Sequence, residues 1–475
     1  MADKYTSFVL RDCGGGVVLI LFAMTRRFCF VTQSWAELTC ICDLRERFSR
    51  YVMRFVLIST HIDQTTGYSK VSYNLVKQLA TLSPKVKTFH FGFQRHPNHP
   101  GLRKYPEGVV SYDAAANEDP KEEGFGYNKI HEYLDMVNPD VVMIYNDPYT
   151  IARFIDSMKH VRGESPYRLW LYVDQVYEGI APPLVDTLRT HADRIYCFTE
   201  TWKTKFLEYG PFPDVRVLEH AVDPTIFSCL PDDARVGIRK NLGLPANAIA
   251  FLNANRNSQR KRLDLTMMGF VRLLKKNPTA PYYLVFASNL SPQSGAYYDL
   301  QRIYLEELKS NGLEFQDFAR RLLLIDTSPP NVWSDEAINQ LYNATDIGIN
   351  TSDGEGFGLC QLEHMYTGAP QIVTDVGSYR TFLTAETSEF VPVSGRMYFS
   401  GGMPHGFICP TFSAADVTTA MESIASTFET RKKAVTAYSF KSWATVCDEW
   451  LETLLIEAEG PVSIVSVPVT SSDQP

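Results

Sequence analysis

A chain of 475 residues is longer than one hydrophobic core supports and divides into two or three domains. Its composition, 45% hydrophobic, 12% aromatic and 21% charged, is that of a globular protein. A net charge of −8 argues against a nucleic-acid partner, which calls for a basic excess, and nine irregularly spaced cysteines read as reduced thiols in a cytoplasmic-type compartment.

Residues 1–52 stand apart. They carry Cys13, Cys29, Cys40 and Cys42 and show no helical period. Their apolar run "GGGVVLILFAM" (14–24) lies between Arg11, Asp12 and Arg26, Arg27. It falls short of the roughly 18–20 residues a bilayer helix needs. The chain reads as soluble, with a peripheral contact at a membrane surface left open. "MRFVLISTH" (53–61) has the short β-branched run of a first strand, so the working fold is expected to start near Met53. Residues 1–52 are then an extension, and a chain beginning at Met53 is expected to fold and keep activity.

From there, strands are expected at 54–60, 86–91, 140–145, 168–173, 194–199 and 215–218. Amphipathic stretches alternate with them, among them 68–82 and 126–137. The acidic stretch 117–123 reads as a solvated loop. Short buried strands alternating with helices make a doubly wound parallel sheet. The pattern restarts after "AVDPTIF" (221–227), with strands expected at 249–254, 282–287, 322–326, 346–350 and 371–374. Helices fit 261–276, 296–312, 335–343 and 357–367. The fold class is therefore α/β, with two Rossmann-like domains over 53–225 and 226–435. Closing helices follow at 436–459, then a Pro-, Ser- and Val-rich tail at 460–475 expected to be disordered.

Ligands of open α/β sheets bind beyond the carboxyl ends of the strands, and four such ends stand out. "STHIDQTTGYSKVS" (59–72) turns at Gly67 into a helix whose first N–H groups can face a phosphate or a sugar, though an ordinary turn is the reading it favours. "NANRNSQRKRLDL" (253–265) crowds basic side chains at one strand end of an acidic chain. Arg256 and Lys261 there offer a planar fork and a point charge suited to a diphosphate, while Arg262 and Arg260 fit a solvated helix face. "LLLIDTSPPNVW" (322–333) has its strand end at Asp326, and the loop that follows from Thr327 reads equally as a frame for a nucleobase or as a plain loop. "DGEGFGLCQLEHMYTGAP" (353–370) is a turn and a helix closed by Gly368 and Pro370. Gly356 and Gly358 let the backbone approach a ligand, and Glu363 within the helix can grip a vicinal diol.

"EGFGLCQLE" resembles the E-x7-E motif of retaining family-4 glycosyltransferases. "HMYTGAPQIVTDVGS" is similar to that family's continuation, and Arg256 and Lys261 match its phosphate-binding pair in spacing. The resemblance covers about 53–455. It implies a GT-B fold and transfer of a sugar from a nucleotide-sugar to a glycan, lipid or protein acceptor with retention. It also implies that no bound metal or cofactor is needed, the nucleotide-sugar being a substrate. Glu355 would face the donor sugar, the backbone of Phe357, Gly358 and Leu359 would hold sugar and phosphate, and Glu363 would hold the ribose. Arg256 and Lys261 would neutralise the leaving diphosphate. One departure lies on the acceptor side, where "LYVDQVY" (171–177) carries Asp174 at the place of a histidine. His61, His220 and His405 each read as structural or solvent-exposed ahead of catalytic, and His220, at the domain junction, is the best candidate of the three. A GT-B epimerase of nucleotide-sugars and a catalytically idle nucleotide- or glycan-binding module are the competing readings.

Overall fold

The computed structural model describes residues 52–459 apart from 65, 96–100, 102 and 400–405, together with two short paired strands, Ala23–Met24 and Arg27–Phe28. The expectations for the rest of 1–51, for the tail 460–475 and for His405 fall outside the described residues.

The first sheet has seven strands: β1 (Met53–Thr60), β2 (Val86–Phe93), β3 (Val110–Asp113), β4 (Val141–Asn146), β5 (Arg168–Val173), β6 (Arg194–Cys197) and β7 (Val215–Val217). They lie in the order β3-β2-β1-β4-β5-β6-β7, with every pairing parallel. In central β1, Phe55, Val56, Leu57 and Ile58 are all buried. Such a run, rather than an alternation, marks a strand covered on both faces. The second sheet holds β8 (Ile249–Asn253), β9 (Tyr282–Ser288), β10 (Leu322–Asp326), β11 (Ile347–Asn350), β12 (Gln371–Thr374) and β13 (Ser388–Val391). Its order is β10-β9-β8-β11-β12-β13, again parallel throughout. An antiparallel hairpin, β14 (Gly395–Tyr398) with β15 (Ile408–Thr411), follows.

Five helices position the cleft: α1 (Gly67–Ala80), α2 (Leu263–Lys276), α3 (Asp335–Ala344), α4 (Leu359–Tyr366) and α5 (Trp443–Glu459). Local sequence sets their starts. The Thr66 hydroxyl caps α1 by accepting from Ser69 N–H, and Ser334 caps α3 by accepting from Ala337 N–H. Helix α4 opens from Gly358 at φ +99°, with no side-chain cap. Helix α5 crosses back to the first domain. Its Trp450 lies edge-on to Phe55 at 6.1 Å, and its Glu457 pairs with Arg168 and, at 3.4 Å, with Arg194.

Three parts of the sequence reading need correction. Strands β3, β13, β14 and β15 were not expected, because each is four residues long and exposed or only partly buried over much of its length. The region before α5 also contains the helix Ala414–Ser426, packed on α2. Finally, the acidic stretch is not wholly solvated: Glu118 is buried and accepts N–H bonds from Gly124 and Gly126 at 3.0 and 3.1 Å.

Candidate functional site

The carboxyl ends of β8 and β11 lie side by side, since Phe251 pairs with Ile347 and Leu252 with Gly348. This register brings together two motifs about a hundred residues apart. After β8, a 3-10 turn (Gln259–Lys261) and a left-handed Arg262 at φ +46° redirect the chain into α2. Consequently Arg260 and Lys261 both turn inward, and Arg262 turns out to pair with Asp264 at 3.0 Å.

Glu355 is the hub. Its Oε2 is held by Lys261 Nζ, lies 3.6 Å from Arg260, and accepts from Ser352 Oγ at 3.3 Å and Asn350 Nδ2 at 3.4 Å. Asn350 is itself fixed by Asn255 and Gln361 at 3.1 and 2.9 Å. Burial would push the Glu355 carboxyl up, but Lys261 and Arg260 outweigh it and hold it below the usual glutamate value. Arg256 is solvent-exposed and makes no ion pair among the described residues. Two cations thus face the Glu355 carboxylate, and Arg256 adjoins Arg260 at the same strand end, a concentration of positive charge where an anion would be stabilised. Arg260 is the residue the sequence reading placed outside. It sits in the same basic run, but only the 3-10 turn reveals its direction.

The glycines are required by close approach. A Cβ at Gly358 would strike the Tyr379 ring, and one at Gly356 would overlap Asp174 Oδ1. Phe357 is buried, stacked on Phe382 at 5.3 Å. Leu359 opens α4 and meets Gly67 across the cleft, so the amino ends of α1 and α4 converge. Both ends carry unpaired N–H groups and the positive pole of a helix.

Glu363 lies one helical stretch further on and is buried. Lys70 of α1 donates to both its oxygens, at 2.7 and 2.8 Å, and Tyr342 donates to Oε2 at 3.2 Å. Burial would lower the Lys70 ammonium, but Glu363 and Asp335 hold it above the ordinary lysine value.

The remaining expected residues are placed as follows. The Asp326 carboxylate closes its own loop, accepting from Leu290 N–H at 3.3 Å and from Ser328 N–H and Oγ at 3.1 and 2.6 Å. Thr327 N–H bonds Ser288 O at 3.0 Å. That loop stands at the β10 end, apart from the Glu355 cluster. Asp174 follows β5 and reaches the site from the first domain. Burial pushes its carboxyl up to about 6, against the pull of a Tyr68 hydrogen bond and Arg260, and its Oδ1 is buried without a partner. His220 is buried. It is enclosed by Phe198, Phe357 and Trp443 at 4.1, 4.9 and 5.7 Å, and both ring nitrogens lack partners. The apolar enclosure makes it a core side chain.

The cleft is shut. Tyr177 donates to Asp353 at 2.6 Å and Trp202 Nε1 to Gly356 O at 2.7 Å, both across the domain junction. The cavity between Lys70, Phe227, Leu359 and Glu363 measures about 10 Å³.

Two parallel doubly wound sheets facing one cleft, with a cation cluster and paired glutamates on the second, define the GT-B class of fold. Comparison with known proteins agrees. The chain is 30% identical over 207 residues to D-inositol 3-phosphate glycosyltransferase of Geodermatophilus obscurus, a match covering 43% of each chain. The corresponding enzyme of Thermobifida fusca is 28% identical over 198 residues, or 41% of this chain and 42% of that one. The chain thus spans under half the length of the curated relatives it matches. Among solved structures, sucrose-phosphate synthase from Thermosynechococcus elongatus superposes with a TM-score of 0.61 at 16% identity, over 85% of this chain and 98% of that one. Anabaena HepE, solved in complex with UDP and glucose, superposes with a TM-score of 0.60 at 13% identity, over 85% and 99%. No family model matches the chain. The resemblance to glycosyltransferases and the GT-B fold expected from the sequence are borne out.

Proposed function

We propose that this chain transfers a sugar from a nucleoside-diphosphate sugar to an acceptor hydroxyl, with retention at the anomeric carbon and without a bound metal. The observation that carries the reading is the pairing of both Arg260 and Lys261 with the carboxylate of Glu355, with Arg256 beside Arg260. Its surplus charge suits a leaving diphosphate, whose negative charge grows as the bond from the anomeric carbon to phosphate oxygen breaks. The free N–H groups at the amino end of α4 add to that stabilisation. The acceptor oxygen forms the new bond to the anomeric carbon, and its proton passes to the departing diphosphate. Glu355 is tied down by two cations and two hydrogen bonds, an arrangement that suits holding sugar hydroxyls rather than attacking carbon. Glu363 would take the ribose diol. Sequence likeness to the inositol phosphate glycosyltransferases, and the UDP complex of HepE, support a nucleotide-sugar donor.

A thermal-shift screen of UDP, GDP and ADP tests the donor site, because a ligand that binds only the native state raises its stability. One nucleotide at a hundred times its Kd should stabilise by about 2.7 kcal/mol; no shift with any would refute the site. Retention is read from the anomeric proton coupling of the product, and metal independence from turnover that survives chelator.

A further inference from the structure

The carboxylate proposed to hold the ribose is already occupied, and by the opposite domain. Lys70 of α1 fills both oxygens of Glu363 and also lies 3.3 Å from Asp335 Oδ1. Arg103 completes the group, reaching Asp335 Oδ2 with Nη2 at 2.8 Å and Nε at 3.1 Å. Arg103 is anchored to the first domain by bonds to Ile62 O and Gln64 O at 3.1 and 2.7 Å. Both carboxylates belong to the second domain and both cations to the first. The Glu363 side chain is only 4% exposed, and the space beside it, about 10 Å³, holds no more than a water.

The charges of this group cancel: two carboxylates meet two cations. It needs no ligand, in contrast to the surplus around Glu355 one helix away. A neutral, well-bonded group that joins two domains through a binding carboxylate has one consequence. A ribose can reach Glu363 only if Lys70 leaves. Buried ion pairs gain little net energy over their solvated parts, so such a group is strong enough to order the cleft and weak enough to be exchanged.

We propose that Lys70 and the nucleotide ribose compete for Glu363, so that the Lys70–Glu363–Asp335–Arg103 group is a latch whose strength sets donor affinity. The proposal rests on the donor-site reading given above. On this account the diphosphate is drawn first to the exposed Arg256 and the Lys261 cluster. Opening then frees Glu363, and the ribose hydroxyls take the place of the ammonium. Donor binding and cleft opening become one coupled equilibrium, and weakening the latch must tighten binding.

The test uses the full chain and its Lys70→Met and Arg103→Met variants, with UDP, GDP and ADP as probes. Calorimetry gives Kd and small-angle scattering gives the radius of gyration without ligand. Circular dichroism checks folding, and Asp335→Asn replaces Arg103→Met should the latter fail to fold. The latch predicts that both variants are more open and bind the preferred nucleotide roughly fivefold tighter or more, within the usual range of coupling between sites. Weaker binding by Lys70→Met with Arg103→Met unchanged would overturn it, making Lys70 a direct nucleotide contact. Equal Kd and equal radius for all three proteins would overturn the latch and leave the donor site standing. If neither the wild type nor the opened variants bind any nucleotide, the donor site falls and the latch with it.

Discussion

Lys261 carries the sharpest consequence at the scale of single residues. Its ammonium is the closest cation to Glu355, and it stands where diphosphate charge would develop. Lys261→Ala should lower turnover by about 10²–10³-fold, the usual effect of removing one donor to a developing charge. The fold should survive, because Glu355 keeps Arg260, Asn350 and Ser352. Near-normal turnover with an unchanged melting temperature would remove Lys261 from the chemistry. His220 makes a different claim. Burial lowers its pKa from 6.5 to about 3, so it is neutral in the folded protein. Above pH 6.5 both states are neutral and nothing changes. As pH falls from 6.5 towards 3 the unfolded chain takes a proton that the folded one refuses, and stability is lost. Between pH 7 and 5 that loss is about 2 kcal/mol for one such histidine. His220→Phe should lose about that much less than wild type in urea unfolding at the two pH values. An equal loss would mean that His220 is not the neutral core residue described.

Elements explain what was legible in the sequence and what was not. Long apolar runs such as 53–60 and 168–173 announce buried parallel strands through composition alone. The glycine turn before α4 was legible too, because glycines mark backbone that must come close to something. What they come close to was not. Gly358 faces Tyr379 and Gly356 faces Asp174, and both neighbours arrive through long-range packing. The same holds for Lys70, which reads as the polar side of an amphipathic helix until the domains close and set it on Glu363. Arg260 was hidden by a shorter-range effect, a single 3-10 turn that rotates the basic run. Gly358→Ala tests the turn itself. It combines a left-handed backbone at φ +99° with a clash against Tyr379, so it should destabilise by about 1–3 kcal/mol and weaken donor binding together. A variant with wild-type stability and donor Kd would show that the turn tolerates a side chain, and the close-approach account would fail.

The whole molecule is two sheets whose ligand-facing ends meet, joined by α5 and by buried polar contacts across the cleft. This arrangement divides the labour proposed here. The second domain supplies the charge that would hold a diphosphate, and the first supplies Asp174 and Tyr68 from the other side, with Lys70 holding Glu363. Neither motif near Glu355 makes a charged cluster alone; the register of β8 against β11 makes them one. The most direct measurement is release of nucleoside diphosphate from a panel of UDP-, GDP- and ADP-sugars offered with mixed hydroxyl acceptors. The account predicts stoichiometric release with one donor class, matched by a glycosylated product and slowed by about 10²–10³-fold in Lys261→Ala. Conversion of the sugar to an epimer without release, or tight binding with no turnover on any donor, would contradict it.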